Sequence, residues 1–164
     1  MMIQCYYTLC LGIMNILCSN KKAAFRYTLI KKLEAGIALE GWEVKSLKAG
    51  HGQIGESYVS VIDREVYLVN SHLKILPNYS NSENLNPIRK RKLLLSKREI
   101  QQITNEVKIN GLTIIPIKIY SKKSLVKIEI AIGKGKKTVD KRNDLKTKEW
   151  NRKKERLLKS HSNS

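Results

Sequence analysis

Alternating apolar and polar residues predict a series of short strands in the first half of the chain. The segment 23–38 alternates in the way that is typical of a strand. Two β-rich runs follow at 58–62 and 65–70, and Asp63 and Arg64 between them predict a two-residue hairpin turn. Because a turn this short joins only antiparallel neighbours, the pattern indicates an antiparallel sheet.

Two more strands are predicted in the second half, at 113–120 and 126–132. The first is almost wholly apolar, and its Pro116 favours an edge position because proline donates no hydrogen bond to a neighbouring strand. In the second, branched apolar residues alternate with Lys127 and Glu129, which is typical of a half-buried strand.

Two segments have the period of a helix. Residues 41–49 predict a short helix that is closed by Gly50. Residues 96–111 predict a longer one, because Ser96 and Glu99 have the spacing of a capping box, which satisfies the free backbone donors of the first turn.

A long loop is predicted at 77–92, where proline, asparagine and serine are frequent and no period is visible. It ends in four consecutive basic residues, Arg89, Lys90, Arg91 and Lys92. Loops of this length within a compact domain are often functional, so the basic run is a candidate binding element.

The count of about six strands and two helices predicts a mainly β fold with short helices. We expect a small antiparallel OB-like β-barrel over 20–132, because such barrels present one face to oligonucleotides. A split sheet with helices on one side is the alternative. Residues 133–164 contain few large apolar side chains, so we expect a basic tail that is disordered when free and folds on a partner.

Residues 1–19 form an uncharged, mostly apolar extension. It lacks the basic start of a signal peptide and is short for a membrane span. Three explanations remain open: an upstream start codon with Met14 as the natural start, a short packed extension, or a membrane role. The three cysteines all lie here, at a spacing that is not that of a zinc site.

The charge of the chain indicates a polyanionic partner. Lys and Arg total 32 against 14 for Asp and Glu, a formal net charge of +18, and 133–164 alone holds 12 basic and 4 acidic residues. No phosphate-binding loop, zinc-protease motif or nucleophile elbow is present, so the sequence predicts a nucleic-acid-binding protein with no catalytic role, no cofactor and no metal.

Three segments carry a resemblance to a known family. EAGIALEGWEVKSLKAG at 34–50, RKLLLSKREI at 91–100 and GKGKKTVDKR at 133–142, in this order, closely resemble the SsrA-binding protein family, SmpB. The resemblance implies a non-enzymatic cytoplasmic protein whose barrel binds the tRNA-like domain of transfer-messenger RNA (tmRNA). It also implies delivery of that RNA to stalled ribosomes, with elongation factor Tu as an indirect partner through tmRNA, and no stable membrane association.

The family's RNA contacts on the body correspond to three residues of this chain, Asn20, Glu34 and Leu94. The structural alternatives are a strand-opening cap for Asn20, an intramolecular ion pair for Glu34 and core packing for Leu94. Phosphate contacts are expected from Lys45, Lys48 and the basic run at 89–92, and such contacts position RNA without reading its sequence.

The family's tail implies a second set of sites. In the family it enters the empty messenger channel of the ribosome as a helix. The corresponding residues here are Asp140, Lys141, Arg142 and Trp150, and we expect further phosphate contacts from Lys134, Lys136 and Lys137. We interpret the Gly-Lys-Gly-Lys run at 133–136 as a flexible hinge, and Val139 stands where the family usually has histidine. A basic ribosomal or initiation-factor-like barrel is the competing interpretation, but it does not explain the motif at 140–142 followed by Trp150.

Overall fold

The structure is a computed structural model, and it describes residues 15–79, 85–123, 125–137, 150, 152–154 and 156. The strands are β1 (Asn15–Ser19), β2 (Tyr27–Ile37), β3 (Gly52–Gln53), β4 (Tyr58–Ile62), β5 (Glu65–Val69), β6 (His72–Leu73), β7 (Arg91–Leu94), β8 (Thr113–Lys122) and β9 (Leu125–Gly135). The α-helices are α1 (Ala23–Arg26), α2 (Gly41–Lys48) and α3 (Lys97–Asn110), and Pro77–Tyr79 forms a 3₁₀ turn. The prediction of a mainly β chain with short helices is confirmed.

Seven strands form one antiparallel sheet in the order β1-β8-β4-β5-β7-β2-β9, while β3 and β6 pair separately. The long strand β8 also pairs with β9 along one edge, and its other edge is shared by β4 and β1. Following the paired strands from β8 through β4, β5, β7 and β2 therefore leads to β9, which again pairs with β8. The predicted antiparallel character of the sheet is confirmed.

The core lies on the inner face of this sheet. In β9 the inward isoleucines Ile128, Ile130 and Ile132 are completely buried, as the alternation of that segment predicts. Helix α3 contributes Ile103 and helix α2 contributes Leu47, both also without exposed surface. Each such side chain stabilises the fold by roughly 1.5–3 kcal/mol relative to an exposed position.

Two local predictions are confirmed in detail. Ser96 accepts a hydrogen bond from the backbone of Glu99, whose carboxylate accepts one from the backbone of Ser96, so the capping box is formed. Asp63 and Arg64 have φ of 50° and 62°, and two positive φ values give a turn whose twist matches that of the flanking strands. Gly111, at φ 58°, ends α3 in the left-handed conformation.

The prediction of an edge position for Pro116 is wrong. Strand β8 has β9 on one side and β1 and β4 on the other. The register of β8 against β9 shifts between Pro116 and Lys118, and a bulge of this kind removes the need for the donor that proline lacks.

Three element boundaries also differ from the predictions. Residues 23–26 are helical, so the predicted strand at 23–38 begins only at Tyr27. Residues 91–94 form β7 rather than the end of a loop. Strand β9 continues to Gly135, three residues beyond the predicted end of the folded region, because Gly133, Lys134 and Gly135 pair with β2.

The end of the predicted apolar extension is part of the sheet. Residues Asn15–Ser19 form β1 against β8, with Cys18 buried and Leu17 packed against the core. Residues 1–14 lie outside the described part of the chain. Within that part, no helix is long and apolar enough to cross a membrane.

Candidate nucleic-acid interface

Glu34 and Leu94 lie on one outer surface of the sheet. In the pairing of β2 with β7, Leu94 stands opposite Gly36, and Glu34 is two residues from Gly36 on the same face of β2. The Leu94 side chain is 56% exposed, so core packing does not account for it. A Cβ at position 36 would lie 3.1 Å from the Cβ of Leu94, so glycine there gives the leucine side chain its room.

Two neighbouring strands orient the carboxylate of Glu34. The Tyr120 hydroxyl from β8 and the Lys127 ammonium from β9 both donate hydrogen bonds to it. The bond from Lys127, followed by that from Tyr120, lowers the pKa of Glu34. Burial, followed by the bond to Glu34, raises the pKa of Tyr120. Glu34 is therefore a fixed anion on a basic surface, and its intramolecular ion pair is real.

Lysines and a second carboxylate continue this surface across β2, β8 and β9. Glu129 lies 3.5 Å from Lys32 and 3.1 Å from Lys118. The Lys118 ammonium also lies 5.5 Å from the centre of the Tyr120 ring. The sequence prediction missed Lys118, Tyr120 and Lys127 as site residues. The alternation of apolar and polar residues in β9 already placed Lys127 on the polar face of that strand, so its exposure to a partner could have been predicted from the sequence.

Asn20 is part of the fold rather than of the exposed surface. Its side-chain amide donates to the backbone carbonyl of Pro116 at 3.2 Å, and its backbone N–H donates to the backbone carbonyl of Ile117 at 2.7 Å. Its side-chain oxygen accepts from the backbone N–H of Lys22 at 3.2 Å. These bonds tie the end of β1 to the bulge of β8, which matches the capping alternative for this residue.

The four basic residues at 89–92 have different environments. Arg91 is 1% exposed and donates to Glu43 at 2.8 Å and to Ser71, so the expectation that it contacts phosphate does not fit its burial. Arg89 is partly exposed and also bonds Glu43, Lys92 pairs with Glu65, and Lys90 is exposed. Strand alternation, which the sequence prediction did not assign here, turns Arg91 inward.

Helix α2 places Lys45 and Lys48 on its exposed side. The Lys45 ammonium lies 5.2 Å from the centre of the Tyr79 ring. Trp42 on the same helix is buried in the core, and its indole N–H donates to the carboxylate of Glu40 at 2.6 Å. Lys45 and Lys48 are thus accessible to phosphate, and the buried residues of α2 fix the helix that bears them against the core.

The start of the tail is anchored to the body. Lys134 is exposed on β9, and the backbone N–H of Lys136 donates to the carbonyl of Arg26 at 2.9 Å while its ammonium donates to that of Ala24 at 3.1 Å. The interpretation of 133–136 as a flexible hinge is therefore wrong. Lys137 is exposed.

The predicted tail sites Asp140, Lys141 and Arg142 lie outside the described residues, as does Val139. Trp150 is described; it is helical and 72% exposed. Among the described residues, no group of three or more His, Cys, Asp or Glu side chains is placed to hold a metal ion.

Comparison with known proteins places this geometry in a family. The family model described as SmpB protein matches residues 17–160, beginning within β1. An SsrA-binding protein of Coxiella burnetii is 49% identical, over 87% of this chain and 89% of the relative. An SsrA-binding protein of Ruthia magnifica is 46% identical, over 89% of this chain and 88% of the relative.

A solved structure agrees with the sequence matches. A chain in a structure described as "tmRNA-SmpB: a journey to the center of the bacterial ribosome" superposes with a TM-score of 0.61 at 38% identity. The match covers 73% of this chain and 84% of that one. With a family model that spans most of its length and relatives at nearly half identity, the chain belongs to the SmpB protein family.

Proposed function

We propose that this protein binds the tRNA-like domain of tmRNA and delivers it to stalled ribosomes for trans-translation. Membership of the SmpB family carries the proposal, since its relatives are named for binding SsrA RNA and a similar chain is found in a tmRNA-SmpB structure. The net charge of +18 suits an RNA partner. The protein acts by binding, without catalysis, in the cytoplasm where ribosomes work.

The body serves as an OB-like barrel in this proposal. Its support is the pairing of β8 with both β4 and β9, which gives the six strands from β8 through β4, β5, β7 and β2 to β9 no unpaired end strand. Barrels of this type bind oligonucleotides across one face. We assign that role to the face bearing Glu34 and Leu94.

Recognition on this face combines an apolar contact with fixed charges. The exposed Leu94 side chain offers a flat apolar surface to a base that has left its stack, which is how proteins commonly recognise folded RNA. The carboxylate of Glu34 accepts hydrogen bonds from base amino groups while Lys127 remains beside it. Lys45, Lys48, Lys90 and Lys92 supply phosphate contacts at the edges, and Arg91 and Asn20 support the fold beneath.

The tail serves the ribosome in this proposal. Lys134, Lys136 and Lys137 lead from the body into the segment containing Asp140, Lys141 and Arg142, and we assign this segment to the empty messenger channel. A basic segment neutralises the phosphates of ribosomal RNA there. The exposed Trp150 stacks on a base or packs on the channel wall. Elongation factor Tu joins indirectly, through the bound tmRNA.

The decisive experiment is to sequence the RNA that copurifies with the full chain. One RNA of tmRNA size supports the proposal, whereas enrichment of whole ribosomal subunits alone would favour a ribosomal or initiation-factor-like protein. A gel shift with the tRNA-like domain against an ordinary tRNA measures specificity. The slope of log affinity against log salt should be steeper than about −4, since each neutralised phosphate contributes roughly −0.7 to −0.9.

A further inference from the structure

A groove of about 790 Å³ lies between helix α3 and the turn that joins β4 to β5. Val61 and Ile100 form part of its lining, and the cations Arg64, Lys97 and Lys108 stand around it. All three cations are exposed. The groove is therefore an apolar depression surrounded by positive charge. The family motif at 91–100 reaches only its first residues, Lys97 and Ile100, and the rest of its lining belongs neither to the motifs nor to the candidate interface.

One face of α3 carries the polar lining. Lys97, Gln101, Asn105 and Lys108 follow at intervals of four, four and three residues, which places them in one row along the helix. From Lys97 to Lys108 the row spans roughly 16 Å at the helical rise. It runs beside the apolar residues that fix α3 on the core, so its position relative to the body is rigid.

The groove cations differ from the lysines of the sheet surface in their partners. Lys32, Lys92, Lys118 and Lys127 each have a carboxylate partner. In the described part of the chain, Arg64, Lys97 and Lys108 form no ion pair. Asp63 is the one carboxylate among the described residues that line the groove, so these residues together carry a net charge of +2 (three cations less one anion).

A second depression connects the groove to the proposed RNA-binding face. It shares Arg64, Lys97 and Ile100 with the first and extends to Lys92 and Leu94. A strand of RNA with a base against Leu94 can therefore continue across β7 into the groove without leaving the protein surface.

We propose that this groove is a second RNA site, which holds the sugar–phosphate backbone of the tRNA-like domain beyond the nucleotide at Leu94. Arg64, Lys97 and Lys108 neutralise its phosphates, and the amides of Gln101 and Asn105 bond its sugar hydroxyls. The contact fixes the orientation of the RNA without reading its sequence. This inference rests on the proposed function, since it extends the same RNA along the body.

The test compares two double variants of the full chain with the same loss of charge. Lys97→Gln with Lys108→Gln alters the groove, whereas Lys21→Gln with Lys74→Gln removes two exposed lysines that do not line it. Gel shifts with a transcript of the tRNA-like domain are measured over a range of salt. Far-UV circular dichroism and thermal melts establish that both variants are folded.

We expect the groove variant to bind at least about 10-fold more weakly, with its log–log salt slope shallower by about 1.4–1.8, because two phosphate contacts are lost. The control variant should stay within about 3-fold of the unaltered chain. Equal affinities and slopes for the two variants would overturn the groove site and leave the proposed function standing. The groove site would also be overturned if the groove variant bound the transcript normally but failed to support tagging, since that result would assign the groove to ribosomal RNA. Failure of the unaltered chain to bind the transcript would overturn the proposed function as well.

Discussion

The carboxylate of Glu43 accepts a 2.8 Å hydrogen bond from Nε of Arg91, and neither side chain has more than 1% of its surface exposed. Arg91 also donates to the carbonyl and hydroxyl of Ser71 at 2.7 Å, and Arg89 bonds the other oxygen of Glu43. Every buried side-chain donor and acceptor in the described residues has a partner. The cluster ties α2, on one side of the core, to β7, which bears Leu94 on its outer face.

Removing one partner of this buried pair should be costly. We expect Glu43→Ala to lower the free energy of unfolding by about 3–5 kcal/mol, because it leaves Arg91 charged and unpaired away from water. Glu56→Ala is the control, since Glu56 pairs with Arg26 at the surface, where solvent screens the attraction and the pair adds little to stability. Urea unfolding measures the free energy of unfolding of both variants. Equal losses in the two would show that the buried pair contributes no more to stability than the exposed one.

Adjacent leucines separate binding from folding. Leu94→Ala should weaken binding of the tRNA-like domain and change stability little, because more than half of the residue is already exposed to solvent. Leu93→Ala, one residue away and 2% exposed, should lower stability by about 2–5 kcal/mol. Gel shifts alongside urea unfolding give both quantities. A large stability loss in the Leu94 variant would return that residue to a packing role.

Acid should destabilise the fold through four surface carboxylates. Hydrogen bonds to neighbouring side chains lower the pKa of each of these carboxylates from its usual 4.5. The donor is Lys127, with Tyr120, for Glu34, and Arg26 for Glu56. It is Lys92 for Glu65 and Ser96 for Glu99. A lowered pKa means that the unfolded state binds protons more readily, so this stability is complete above pH 4.5 and is lost as the pH falls through the folded-state values.

Urea midpoints at pH 6, 4.5 and 3 should therefore fall in that order. Glu65→Gln should reduce the size of the fall, because a glutamine at this position has no proton to gain. A midpoint that is constant across this range would contradict the inferred pKa directions.

Two glycines of one motif should respond differently to a methyl group. A Cβ at Gly133 would lie 2.6 Å from the carbonyl oxygen of Thr28 on β2, whereas a Cβ at Gly135 meets nothing within 4 Å. We expect Gly133→Ala to cost about 1–3 kcal/mol by forcing β2 and β9 apart. Gly135→Ala should be close to neutral, and thermal melts of the two variants make the comparison.

Body and tail should separate after Lys137. A chain ending there keeps the pairs that Gly133, Lys134 and Gly135 make with β2, so it should fold and bind the tRNA-like domain but fail to support tagging. A chain ending after Ile132 loses those pairs and should melt at a lower temperature. Loss of RNA binding by the longer truncation would contradict the division of roles between body and tail.

What could be predicted from the sequence was local in origin. The capping box of Ser96 and Glu99, the turn at Asp63 and Arg64 and the alternation of β9 each depend on residues within a few positions of one another. The burial of Arg91 depends on Glu43, 48 positions away, and no local pattern records such a partner. A run of four basic residues therefore gave the appearance of a uniformly exposed cluster.

The same distinction applies to the site. Glu34 and Leu94 were predicted because they fall within segments that resemble a family. The structure places both on one face through the register of β2 with β7. Tyr120 and Lys127 were missed because their role arises from the sheet, which brings β8 and β9 to the side of Glu34. Asn20 was predicted as a contact, yet its bonds to Pro116 and Ile117 are available only once the bulge of β8 exists.

The pairing of β1 with β8 also sets the order in which the molecule is completed during its own synthesis. Ile16 stands opposite Tyr120, 104 positions later in the chain (120 − 16). Because a ribosome releases the chain from its N-terminus onward, β1 emerges long before β8 has been synthesised. Until then its apolar side chains are exposed to solvent or bound by a chaperone. Native pairings across such a separation form slowly. The emergence of β8, followed directly by β9, then supplies partners for β1, β4 and β2 within a single short stretch of translation.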